Sequence, residues 1–197
     1  MYVGGDDGVA IKSGWDDAGI KYGKPVVNVT VRDSSFTTRA ACVCIGSEMS
    51  GGAENVTVHN VSCVNTGTAF LTKSSPGRGG YVRNFAFTDS TITGAGTAFM
   101  IMLTYGDNPQ PPLITNLSAL PVLDGFTFAR IRGAGVQTAG SISGAPGGGS
   151  PGVMITNVRV EDVDVGPTPR GWLCTNVSGS ATGVVPPIAA ATCPQLA

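Results

Sequence analysis

A short apolar–polar–apolar string, usually led by asparagine, recurs along this chain, and a repeat of that kind restricts the fold more than composition does. Asn28-Val29-Thr30-Val31 returns as Asn55-Val56-Thr57-Val58 and as Asn84-Phe85-Ala86-Phe87. Gly125-Phe126-Thr127-Phe128 and Asn157-Val158-Arg159-Val160 continue the series, with steps of 27, 29, 41 and 32 residues. A second string keeps the same phase, since Gly67-Thr68-Ala69-Phe70 returns 29 residues later as Gly96-Thr97-Ala98-Phe99. Ala41-Cys42-Val43-Cys44-Ile45 falls in that slot one repeat earlier, and Val9-Ala10-Ile11 one earlier still.

Each unit thus holds at least two short alternating strands separated by Asn, Asp, Gly or Ser turns. Units this small bury a face only by stacking on their neighbours. No 3.6-residue period survives the β-branched residues and glycines, and the leucine-rich pattern is absent. An all-β solenoid, a parallel β-helix, remains. Stacked slots then lie about 4.8 Å apart. The recurring asparagines are expected to form amide ladders. That reading is preferred to glycosylation at the Asn28 and Asn55 sequons; Asn60 shares it, and Asn116 and Asn176 are the better acceptor candidates.

The coils are expected over residues 1–166. The 41-residue step holds an insert, roughly 104–121, with the run Asp107-Asn108-Pro109-Gln110-Pro111-Pro112, which no ladder accommodates. A Gly/Ser/Pro run over 140–152 reads as a second loop. After Gly166 the repeats stop, leaving a tail over 167–197. Cys174 and Cys193 lie in that tail, and two readings stand for them: a disulfide, or two free thiols.

Charged residues make up only 13% of the 197, and the formal net charge is −1. That leaves no basic footprint for nucleic acid. No apolar run reaches the length of a membrane span, and no signal-peptide pattern stands at Met1. Five cysteines and one histidine, His59, show no metal-ligand spacing, so neither metal nor cofactor is expected. His59 reads as structural or exposed.

Against so few charges, the adjacent acids Asp6 and Asp7 in a glycine-framed turn stand out. If Val9, Ile11, Val43, Ile45, Phe70, Thr72, Phe99 and Ile101 point inward, their neighbours point out. Lys12, Cys44, Leu71, Lys73, Met100 and Met102 then share one outer face, with Lys12 and Lys73 roughly 10 Å apart and the two aspartates at its foot. Carboxylates and lysines along a solenoid groove suit an acidic sugar polymer; a solvated face is the plain alternative.

Gly5-Asp6-Asp7-Gly8-Val9-Ala10-Ile11-Lys12-Ser13-Gly14-Trp15-Asp16 resembles the GDDxxAIKSGWD segment of the polygalacturonase family, glycoside hydrolase family 28. Ile45-Gly46-Ser47-Glu48-Met49-Ser50-Gly51-Gly52 and Lys73-Ser74-Ser75-Pro76-Gly77-Arg78-Gly79-Gly80-Tyr81-Val82 are similar to strings of its plant-type branch. So is the end of the chain, Trp172-Leu173-Cys174 through Cys193-Pro194. The resemblance implies a right-handed parallel β-helix and inverting hydrolysis of α-1,4-galacturonan in pectin. It makes Asp6 the general acid, Asp7 an acid handling water, and Lys73 a ligand of the substrate carboxylate, with Lys12 and Arg78 further substrate-binding candidates.

Two family positions differ, since a histidine would fall at Ala41 and an arginine at Leu71. A further family aspartate precedes the first turn. We therefore expect a C-terminal portion of about five to six coils, weak or inactive as it stands, whose full-length parent is extracellular or in the cell wall. Asp16 and Asp17 read as a solvated turn. The competing function is a non-catalytic β-helix that binds pectin through the Lys12–Lys73 face, or a purely structural solenoid. Nothing here resembles the calcium-binding acids of pectate lyases.

Overall fold

The computed structural model describes residues 1–105, 118–145 and 152–196. The chain opens with β1 (Tyr2–Gly4), β2 (Val9–Ile11) and a short helix, α1 (Asp16–Tyr22). Long and short strands then alternate: β3 (Val26–Thr38), β4 (Ala41–Gly46), β5 (Ala53–Val64), β6 (Thr68–Lys73), β7 (Tyr81–Thr93) and β8 (Thr97–Met102). The series closes with β9 (Val122–Ala134), β10 (Thr138–Ser143), β11 (Ile155–Asp164), β12 (Arg170–Thr175) and β13 (Val177–Val185). Odd strands pair in chain order into one parallel sheet and even strands into another. Each crossover returns to its own sheet one rung on, which makes a right-handed parallel β-helix.

The long strands turn corners because single residues in them adopt the left-handed conformation. Asn28, Asn55, Asn84, Gly125 and Asn157 stack in one such column with φ between 54° and 76°. Asparagine and glycine tolerate that region better than other residues. The expected ladder forms there: Asn55 Nδ2 donates to Asn28 Oδ1 and Asn84 Nδ2 to Asn55 Oδ1, both at 3.1 Å. Gly125 has no amide to offer, and Asn157 Nδ2 reaches Asp124 Oδ1 at 2.6 Å instead. Asn60 belongs to a second column, donating to Asp33 Oδ1 at 2.7 Å. Asn176, expected in an irregular stretch, is another left-handed corner, and its amide donates to Ala145 O at 2.8 Å. Asn116 lies outside the described residues.

Alternation fills the interior. Val43, Phe70 and Phe99 pair in register, as do Ile45, Thr72 and Ile101, and all six are buried. All seven phenylalanines are buried, with Phe70 stacked on Phe85 at 3.9 Å between ring centres. Aromatic pairs of this kind add roughly 0.5–1.5 kcal/mol beyond their area burial.

Two expectations are corrected. The Gly/Ser/Pro loop does not begin at Gly140, because Thr138–Ser143 form β10, paired on both sides. Glycine at 140 is required by packing: a Cβ there would sit 2.2 Å from the Trp172 ring, which lies over it and stacks on Phe99 at 5.9 Å. Nor do the repeats stop after Gly166, since β12 and β13 add a further coil. Most of the 104–121 insert, and residues 146–151 of the loop, lie outside the described residues. Cys174 and Cys193 do form a disulfide. A second one, Cys42–Cys63, ties β4 to β5; spacing alone did not single it out. Closing a loop of that length stabilises a fold by about 3 kcal/mol.

Candidate active site

The turn between β1 and β2 places two neighbouring carboxylates in different surroundings. Asp7 folds back onto the next coil, where the Ala41 N–H donates to Oδ1 at 3.0 Å and Lys73 Nζ donates to Oδ2 at 2.8 Å. Asp7 and Lys73 are only 10% and 12% exposed as side chains. Asp6 remains exposed; its Oδ1 accepts from the Asp7 N–H at 2.7 Å, and its backbone carbonyl accepts from the Thr38 hydroxyl.

Burial pushes the Asp7 carboxyl up. The Lys73 hydrogen bond, the Ala41 N–H and the Lys73 charge outweigh that and hold it below its ordinary value. Burial also pushes Lys73 down, and the bond to Asp7 with nearby negative charge leaves it raised instead. Asp7 is therefore a carboxylate near neutrality, beside a second carboxyl that faces the groove.

Register delivers Lys73 to this place. Ile11 pairs with Ile45, so Lys12, Gly46 and Lys73 occupy successive rungs of one row, and Lys12 Nζ lies 3.3 Å from Gly46 O. Gly46 has φ +93°, and a Cβ there would come within 2.2 Å of the Lys73 carbonyl oxygen. Lys12 is ion-paired with Glu48. Burial raises the Glu48 carboxyl, and its bond to Lys12 brings it below the ordinary value. Cys44, expected on the outer face, is fully buried, and burial pushes its thiol up to about 12, so no thiolate is available for chemistry.

Two depressions meet at Asp6, Asp7, Lys73 and Tyr105. The larger, about 500 Å³, extends over Leu71 and Met100 to Arg39 and Arg170. The smaller, about 350 Å³, holds Lys12, Ser47 and Glu48. Tyr105 is 40% exposed, with its ring centre 5.3 Å from Lys73 Nζ. Sequence reasoning missed it, as it missed Arg39 and Arg170. Their signal lay in the register, since Arg39 lies two residues before a short strand and Arg170 begins one.

Arg78 is not brought to this groove. Arg78 is 5% exposed, and its guanidinium donates to Asp16 Oδ1 at 2.7 Å and lies 5.2 Å from the Trp15 ring centre. The expected substrate ligand instead fastens α1 to the turn after β6. Asp16 is accordingly no solvated residue but the buried partner of that pair. His59 sits on β5, 3.3 Å from Asp89, away from the groove. Among the described residues, no cluster of three or more His, Cys, Asp or Glu could hold a metal ion.

The fold and groove define the class: a right-handed parallel β-helix with carboxylates and a paired lysine in an open groove. The family model for glycosyl hydrolases family 28 matches residues 2–186, and the chain belongs to that family. It is 33% identical over 188 residues to a probable polygalacturonase of Vitis vinifera, covering 93% of this chain and 37% of that protein. The crystal structure of a hyperthermoactive exopolygalacturonase from Thermotoga maritima superimposes with a TM-score of 0.76 at 25% identity, over 90% of this chain and 38% of that one. The chain thus spans less than two-fifths of the length of these relatives.

Proposed function

We propose that this chain carries the acid/base centre of a polygalacturonase that hydrolyses α-1,4-linked galacturonan with inversion. Asp6 acts as general acid toward the leaving oxygen and Asp7 as base toward water. The observation that carries the reading is Asp7, held ionised by Lys73 and the Ala41 N–H beside an exposed Asp6. Lys73, already paired, offers its remaining donors to a galacturonate carboxylate. The substrate is pectin, and the full-length parent works outside the cell or in the wall.

Taken alone, residues 1–197 turn over weakly. Among the described residues, the carboxylates lining the two depressions are Asp6, Asp7 and Glu48, and Glu48 is engaged by Lys12. The further aspartate implied by the family resemblance has no counterpart among them. The test is release of reducing ends from polygalacturonic acid by purified 1–197 and by Asp6→Asn. Slow release lost in the variant is expected. Robust release would sink the claim of weak turnover, and slow release unchanged in Asp6→Asn would remove Asp6 from its role. The competing reading, pectin binding through a Lys12–Lys73 face without turnover, is disfavoured because Lys12 is neutralised by Glu48.

A further inference from the structure

The two halves of the groove differ in free charge. Lys12 is neutralised by Glu48 on one side, and Lys73 by Asp7 at the centre. On the other side Arg39 and Arg170 line the larger depression, both exposed. Every ion pair among the described residues is formed by other cations, and neither guanidinium donates a hydrogen bond there. In a chain with 12 Lys and Arg in all, two unpaired ones in a single cleft are conspicuous.

Register sets their spacing. Arg39 lies two residues before Ala41, which pairs with Thr68; Thr97, Thr138 and Arg170 continue that row. Four rung steps separate the two positions, about 19 Å along the axis. The floor between them is small or apolar: Gly67, Thr68, Gly96 and Thr97, with Leu71 and Met100 alongside. A cation near each end of an uncharged floor is the arrangement that holds a polymer bearing carboxylates at intervals.

We infer that Arg170 binds the carboxylate of a uronate unit remote from the bond that is cleaved and Arg39 that of a unit nearer the centre, both on the side opposite the Lys12–Glu48 pair. The inference rests on the galacturonan reading above and adds a polarity to it. Guanidinium forks engage carboxylates in bidentate fashion, which fixes ring orientation as well as charge. Leu71 and Met100 give the intervening sugars an apolar surface for their C–H faces. A run of acidic units is thereby favoured on one side of the scissile bond and not on the other.

Calorimetric titration of the 197-residue chain with digalacturonate, octagalacturonate and a neutral galactan octamer tests this. Arg39→Gln and Arg170→Gln should each weaken octagalacturonate binding by about three- to fivefold, the scale of an exposed charged contact. Both should flatten its salt dependence, and Arg170→Gln should leave digalacturonate unchanged. Circular dichroism checks that these exposed substitutions leave the fold intact. Octamer binding unchanged in both variants overturns the inference and leaves the galacturonan reading standing. A galactan octamer that binds as tightly as octagalacturonate, or no binding of any uronate oligomer, overturns both.

Discussion

Moving one residue along the chain, from Asp6 to Asp7, exchanges a carboxylate facing the groove for one clasped by Lys73 and the Ala41 N–H. That clasp has a pH signature. The Asp7 value is lower in the fold than the ordinary aspartate value of 3.8, so its stabilisation is complete above that pH and lost as pH falls through the folded value. Lys73 is raised above 10.5, so its share is complete below that pH and lost as pH rises through the folded value. Urea midpoints measured from acid to alkaline pH should show both slopes in the natural chain, and Asp7→Asn should lose this pair's part of each. An acid limb identical in the two proteins would rule out the clasp. Asp6, Asp7 and Lys73 were legible because unbroken strings place them on known rungs. Arg78 was not, because a turn motif names a residue without saying which side of the turn it occupies, and burial against Trp15 and Asp16 is a tertiary fact.

At the level of strands, alternation made the interior readable: the inward set named from Val43 to Ile101 is buried. What escaped was governed by neighbours on the next rung. Gly140 looks like loop composition until Trp172 is seen lying over it, and β12 follows two prolines. One inward position carries a polar atom that the row does not need. Thr72 lies between Ile45 and Ile101, and its hydroxyl finds no partner among the described residues. A buried hydroxyl without a partner costs about 1–3 kcal/mol, so Thr72→Val should raise unfolding stability by about 1 kcal/mol. Equal or lower stability by urea titration would show that the hydroxyl is satisfied in solution.

Across the whole molecule, each coil touches chiefly the coils before and after it, so stability is a sum of neighbouring interfaces. β1 and β2 offer three residues each and have a partner strand on one side only. The middle rungs hold the phenylalanine stack, and the Cys42–Cys63 and Cys174–Cys193 bonds fasten regions on either side of it. Hydrogen exchange should therefore be fastest at Tyr2–Gly4 and Val9–Ile11 and slowest in β6–β9. Uniform protection along the chain would mean that the solenoid opens as one block.

The strict rung-to-rung register has a consequence for how such a molecule can change. Asp7 and Lys73 meet across the first three rungs, whereas Arg170 stands on the sixth. Duplicating one coil between β8 and β10 would carry Arg170 a fixed increment further from the aspartates and leave their clasp untouched. Reach along a polymer is then graduated in whole coils, like notches on a gauge, and can be reset by gene duplication without retuning the chemistry at its foot.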